Sequence, residues 1–169
     1  MPVPRPATVS DVEQLREIER SAGQLFSEIG MDAIALDDPP TAENYRMAIE
    51  RGEITVIDLD EVPTAYLRAF EVDGLMHLEQ LSVAASGARR GLGRMLIEHA
   101  ADSAQEQGLA GLTLTTFASV PWNAPYYARL GFRVLDEREW SPGLRRIRDE
   151  EAADGLDAWP RVCMIRESR

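Results

Sequence analysis

The sequence predicts one mixed α/β domain with a central, mostly antiparallel sheet flanked by helices. Three observations carry this. Two segments with helical periodicity precede three short strand runs, and helix and strand then alternate to the end of the chain. Asp73-Gly74 stands between two apolar runs, a strong signal for a tight hairpin turn. The 169 residues, 44% hydrophobic and 28% charged, suffice for one core without disulfide or metal, so a single domain is expected over residues 1–169.

The elements follow in order. Ser10 and Glu13 have capping-box spacing, and Val12, Leu15, Ile18, Ala22, Leu25 and Ile29 then form one apolar stripe, so a long helix is expected up to Gly30. Asp37-Asp38-Pro39-Pro40 breaks the chain, and Thr41 opens a second helix that ends before Gly52. Strands are expected over 54–59, 63–72 and 75–83. A helix over 90–107 follows, with Leu92, Met95, Leu96 and Ala100 on one side and Gly108 as its stop. Next come a strand over 112–117, a short helix over 123–130, and strands over 132–137 and 161–166. The acidic stretch between these last strands reads as loop with a short helix near 145–152.

Composition narrows the function classes. A formal net charge of −11 repels a phosphate backbone, so no nucleic acid partner is expected. No apolar run is long enough for a membrane span, and the first residues lack the apolar core of a secretory leader. A lone cysteine, Cys163, fits a reducing cytoplasm, and it lies in an apolar strand run that suits packing better than nucleophilic chemistry. His77 and His99 lack metal-ligand spacing, so no metal is expected. Against this acidic background, Arg89, Arg90 and Arg94 form a basic island around two glycines.

That island lies in Val83-Ala-Ala-Ser-Gly-Ala-Arg-Arg-Gly-Leu-Gly-Arg-Met95, which joins a strand to a helix. Glycines there let amides approach a ligand, and the helix adds the positive end of its dipole, which suits a pyrophosphate. Tight helix–strand packing is the other reading of Gly91 and Gly93. A second segment, Asn123-Ala-Pro-Tyr-Tyr-Ala-Arg-Leu-Gly-Phe132, follows further on. Together the two resemble the signatures of the GNAT N-acetyltransferases: the Arg/Gln-x-x-Gly-x-Gly/Ala loop and the Asn…Tyr-x-x-x-Gly-Phe segment. The resemblance extends over about residues 5–166, with one departure: Ala88 occupies the usual Arg or Gln position.

The resemblance implies a GNAT-like sheet with splayed strands at the cofactor site and acetyl-CoA as co-substrate. It implies that backbone amides from Arg89, Arg90, Gly91, Leu92, Gly93 and Arg94 grip the pyrophosphate, and that Leu81 and Val83 pair with the pantetheine arm. Tyr127 then falls on the tyrosine that protonates the leaving thiolate, with Asn123 as helix cap or partner of the cofactor arm. Strand alternation sets His77 and Glu79 on one face with Leu81 and Val83, and the resemblance implies that either can serve as the base, Glu79 slightly favoured over His77. Acidic and aromatic residues, among them Phe26, Asp38 and Trp122, would suit a cationic amine acceptor. A catalytically silent acyl-CoA sensor and a transferase for another acyl-CoA remain open, as does a homodimer, since family members often pair.

Overall fold

A computed structural model describes all 169 residues. The strands are β1 (Arg5–Pro6), β2 (Ile54–Leu59), β3 (Val62–Val72), β4 (Leu75–Val83), β5 (Gly111–Phe117), β6 (Arg133–Val134) and β7 (Arg161–Glu167). The helices are α1 (Val12–Gly23), α2 (Asp32–Ala35), α3 (Ala42–Glu50), α4 (Leu92–Glu106), α5 (Ala124–Arg129) and α6 (Pro142–Ala153). The strands form one seven-stranded sheet in the order β1-β2-β3-β4-β5-β7-β6, mostly antiparallel and flanked by helices, as the sequence predicts. By packing, the chain divides into two compact units: Met1–Ala69 with Gln80–His99, and Phe70–Glu79 with Ala100–Arg169.

In the first unit, Val12, Leu15 and Ile18 of α1 pack with Tyr45 and Ala48 of α3 on Ile54, Val56 and Tyr66 of the sheet. The start of α1 differs from expectation. The capping box is Thr8 with Asp11, not Ser10 with Glu13. The Arg5 guanidinium explains it, for it binds Asp11 at 2.9 and 3.0 Å and Asp58 of β2 at 2.8 and 2.9 Å. With Asp11 fixed there, its carboxylate takes the Thr8 amide at 2.7 Å, while the Ser10 hydroxyl turns to that of Thr8. This arginine holds the Asp11 carboxyl below the usual carboxylate range. It also pins β1, a strand too short for sequence periodicity to show, beside β2 with Arg5 opposite Val56.

The expected long helix ends early. After Gly23 it tightens into a 3₁₀ stretch, Gln24–Ile29, which Gly30 closes in the left-handed region, and the short α2 follows. Leu25 and Ile29, read as part of the apolar stripe, stand exposed. Farther on, Thr41 caps α3 by accepting the Asn44 amide.

In the second unit, Asp73 and Gly74 both adopt the left-handed conformation that a two-residue hairpin turn requires. β5 runs antiparallel to β7 from Gly111↔Glu167 to Phe117↔Arg161, and β6 pairs with the other edge of β7. The strand expected over 132–137 shrinks to β6, because Asp136 and Glu139 close a capping box that turns the chain. The region expected to be mostly loop holds α6, longer than predicted and capped by Ser141, whose hydroxyl accepts the Leu144 amide. Its Leu144 packs with Leu135, Cys163 and Ile165. Its Glu151 receives Arg161 at 3.0 Å and the Thr115 hydroxyl at 2.6 Å, while the Arg161 guanidinium lies 4.5 Å above the Phe117 ring. That charged lining of the α6 contact hid an amphipathic helix from a hydropathy reading.

At Gly111 a β-carbon would collide with the Arg166 carbonyl oxygen and lie 2.9 Å from Glu167 Cα, both main-chain atoms. Gly111→Ala is therefore expected to destabilise the protein by about 1–3 kcal/mol, read as a lower urea midpoint with an unchanged slope.

Candidate active site

Pairing between β4 and β5 is parallel and is confined to Met76↔Leu112 and His77↔Thr113. β5 goes on against β7 to Phe117, whereas β4 goes on to Val83 without β5 as a partner. Leu81 and Val83, the expected pantetheine partners, lie on this later part of β4 and are half-buried.

The junction that follows is held from below. The Ala84 amide donates to the Thr64 carbonyl at 2.9 Å and the Ala85 amide to the Ser21 hydroxyl at 2.9 Å. Gly87 and Ala88 then donate back to Ala84 and Ala85 in a single 3₁₀ turn. From residue 89 to residue 94 no main-chain amide donates to a main-chain acceptor, and Met95 resumes the pattern by donating to Gly91 at 3.0 Å. Arg89 and Gly91 both have positive φ, 62° and 75°. Ala88 before them is extended, with φ −59° and ψ 143°. Arg89 holds its positive φ without glycine's freedom, a strain that functional loops tend to keep. Arg89, Arg90 and Arg94 are exposed, while Leu92 and Gly93 are buried at the start of α4.

One residue of this loop escaped sequence reasoning. A β-carbon on Gly87 would sit 2.6 Å from Thr64 Cγ2 and 2.8 Å from Leu92 Cδ1. Only glycine lets the turn settle on β3 and seat Leu92. As one glycine among several in a glycine-rich loop, it carried no distinguishing signal.

His77 and Glu79 come together in the second unit but differ in access. His77 is 1% exposed, with Nδ1 3.1 Å from the Thr113 hydroxyl and its ring beside Phe70. Its Nε2 lies 3.5 Å from Glu79 Oε2, and the Glu79 side chain retains 41% of its exposure. A consistent arrangement has Nδ1 accepting from Thr113 and Nε2–H directed at Glu79. Of the two candidate bases, only Glu79 reaches solvent directly.

Tyr127 is buried on α5, edge-on to both Tyr126 and Phe132. The turn that places it is closed by the Leu130 and Phe132 amides, both donating to the Tyr127 carbonyl. Burial pushes its phenol well above the ordinary tyrosine range, with the neighbouring Tyr126 adding to the effect, so the hydroxyl keeps its proton. Asn123 precedes α5 but does not cap it through its side chain, because its backbone (φ −112°, ψ −116°) lies outside the extended cap geometry. Its Nδ2 donates to the Trp122 carbonyl at 3.2 Å, and its Oδ1 is buried with no hydrogen-bond partner. An orphaned buried acceptor is rare and marks a place where an external N–H donor fits.

The expected acceptor residues are dispersed. Phe26 is half-buried in the 3₁₀ stretch after α1, Asp38 is exposed in the turn before α3, and Trp122 is half-buried ahead of α5. No group of three or more His, Cys, Asp or Glu side chains is arranged to hold a metal ion, and no helix is long and apolar enough to cross a membrane.

The seven-stranded, mostly antiparallel sheet flanked by helices is the architecture of the GNAT acetyltransferase fold. The chain belongs to the acetyltransferase (GNAT) family, whose model matches residues 13–132. Solved structures share the fold at low identity. A GNAT-family acetyltransferase from Staphylococcus aureus superposes with a TM-score of 0.77 at 14% identity, with 100% of both chains covered. The PaiA N-acetyltransferase from Thermoplasma acidophilum, in complex with coenzyme A, gives 0.70 at 14% identity over 99% of each chain. N-acetylglutamate synthase from Neisseria gonorrhoeae, complexed with coenzyme A and N-acetyl-glutamate, gives 0.75 at 16% identity, matching 100% of this chain but 35% of its own.

Cys163 is fully buried in the α6-side core, where burial pushes its thiol up to about 12. The folded protein is therefore expected to resist iodoacetamide at pH 8 and to be labelled fully only after unfolding, as mass spectrometry would show.

Proposed function

We propose that the chain transfers an acetyl group from acetyl-CoA directly to a primary amine. The observation that carries this reading is the run of main-chain N–H groups at residues 89–94 without main-chain acceptors, with Arg89 and Gly91 at positive φ. The residues suit a diphosphate: Arg89, Arg90 and Arg94 supply charge beside the amides, and α4 adds its N-terminal dipole. Ala88 in place of the family's Arg or Gln is no obstacle, since main-chain groups do the holding. Leu81 and Val83 offer main-chain groups to an amide-bearing arm.

The chemistry falls to three side chains. Glu79, reaching solvent beside buried His77, takes a proton from the acceptor ammonium through water, and the imidazole fixes the carboxylate's position. The amine nitrogen then bonds to the acetyl carbon as the carbon–sulfur bond breaks. Tyr127 supplies a proton to the departing thiolate, a role for which a phenol kept protonated by burial is suited. The nitrogen loses its second proton to solvent as the amide forms and solvent restores the proton of Tyr127, so the products are coenzyme A, the neutral N-acetylated amine and one proton.

The chain contains no lysine, all 18 of its basic residues being arginine. Acetyl label in an added amine is thus easily separated from label on the protein. Incubation with acetyl-CoA and a panel of amines, read by free thiol and by acetylated product, should give turnover with at least one class. Tyr127→Phe is expected to lower kcat by about 10²–10⁴-fold while calorimetry shows unchanged coenzyme A affinity. Equal turnover by this variant would remove the acid assignment, and absence of coenzyme A binding at millimolar concentration would remove the function.

A further inference from the structure

The second unit holds an arginine whose charge the acetyl-transfer scheme leaves unused. The pairs Thr115↔Cys163 and Phe117↔Arg161 put these side chains on one face of the sheet, together with Thr113. His77 stands opposite Thr113 and meets its hydroxyl, so Glu79, two residues on, belongs to that face too. α6 covers part of the face through Glu151.

The side chain of Arg161 is only 7% exposed, yet its guanidinium is incompletely satisfied. Nη2 donates to Glu151 Oε2 at 3.0 Å and to the Thr115 hydroxyl oxygen at 3.1 Å. Nε is buried without a partner, and Nη1, which makes no hydrogen bond, keeps contact with solvent. Arg148 donates to the same carboxylate at 3.2 Å and to Asp157 at 3.0 Å, with its own Nε buried and unpartnered. Asp157 is half in water, so two shielded arginines share one shielded carboxylate. Burial pulls the Arg161 guanidinium below its ordinary range, with Glu151 opposing the fall and Arg148 adding to it. An apolar side chain beside Phe117 and Cys163 would avoid that desolvation cost, and Arg148 alone would still tie Glu151 within α6. The second positive charge is left to explain.

The same place opens to solvent. β5 is an internal strand, and Thr115 is its one residue that is not buried. Thr113 and Phe117, on either side of it along the face, are buried. Parallel register carried beyond His77↔Thr113 would set Glu79 opposite Thr115, but pairing has stopped by then and Glu79 stays open. The proposed base, the accessible threonine and the unfilled arginine thus stand on successive strands of one face, β4, β5 and β7.

We propose that Arg161 binds a carboxylate carried by the acceptor, so that the acceptor is an amino acid or a similar amine with a free carboxylate, its nitrogen directed to Glu79. The single positive charge that Glu151 leaves over suits a monoanion, and a guanidinium donates well to a carboxylate. The proposal rests on the acetyltransferase reading and names the acceptor class which that reading leaves open. Arg161 is a binding group in this scheme, and proton transfer stays with Glu79.

The test uses the full chain, uniformly labelled with ¹³C and ¹⁵N, the Nε–H signal of Arg161 being assigned through its own side-chain and backbone correlations. N-acetylglycine, anionic at about pH 7, is titrated against neutral N-acetylglycinamide, with and without coenzyme A. The acid is expected to shift the Arg161 signal saturably and the amide to leave it in place. Equal response to both probes, or none to the acid, overturns the proposal whether or not coenzyme A binds. Coenzyme A affinity, measured on the same samples, tests the acetyltransferase reading separately. Kinetics with a panel of amino acids, each paired with its own amide, adds a second readout. The best acid should exceed its amide by about tenfold or more in kcat/KM, the worth of one charge-assisted contact, and the difference should lie in KM. Arg161→Gln should abolish that preference by raising KM for the acid. Should this variant not fold, Arg161→Lys, which keeps the charge but loses the planar fork, is expected to weaken the same preference. Amides that match their acids across the panel, or a preference untouched by the folded variant, would equally overturn the proposal.

Discussion

Every strand owes its main-chain donors and acceptors to a neighbour, and β4 has its β5 neighbour only as far as His77. Much of what the chain can do depends on that early end of pairing. Before it, Met76 and His77 are locked against Leu112 and Thr113, and the His77 ring is buried at the same register as the Thr113 hydroxyl that meets it. After it, the strand has main-chain groups to offer to something that is not β5. The following loop repeats the condition in sharper form, because the first turn of any helix lacks internal partners for its amides and here the preceding loop amides lack them too.

The signals that survived from sequence to structure are those written in local backbone chemistry. Asp73-Gly74 is a hairpin turn because both residues must take positive φ, and Thr41 caps α3 because a hydroxyl there meets an amide three residues on. The loop from Val83 to Met95 was legible as a strand-to-helix junction for the same reason, with Gly91 at positive φ. What stayed hidden depends on partners distant in the chain. The start of α1 is set by Arg5 bridging Asp11 to Asp58, and no spacing rule connects those three residues. The shape of α6 depends on Arg148 and Arg161 sharing Glu151, a buried charged contact that reads in sequence as a solvated loop. Asn123 shows the limit from the other side: its identity drew notice, but only its φ and ψ reveal that it does not cap.

Burial divides the acid–base labour that composition leaves undivided. His77 and Glu79 alternate onto one face and are close candidates by sequence, Glu79 slightly favoured, and the sheet buries His77 and leaves Glu79 open. In the proposed mechanism the buried imidazole positions the carboxylate, and the exposed carboxylate takes the proton. Tyr127 meets the opposite need. Desolvation strengthens the hold on its proton, which suits the proposed role of acid toward a departing thiolate.

Charge balance ties the loop to the proposed cofactor. The chain carries eleven more acidic than basic residues, yet Arg89, Arg90 and Arg94 cluster on one loop of the first unit. This is a local imbalance that folding alone does not require, since the surrounding arginines and carboxylates pair freely with one another. A diphosphate beside the amides would balance the arginine cluster, and the proposed cofactor carries that charge.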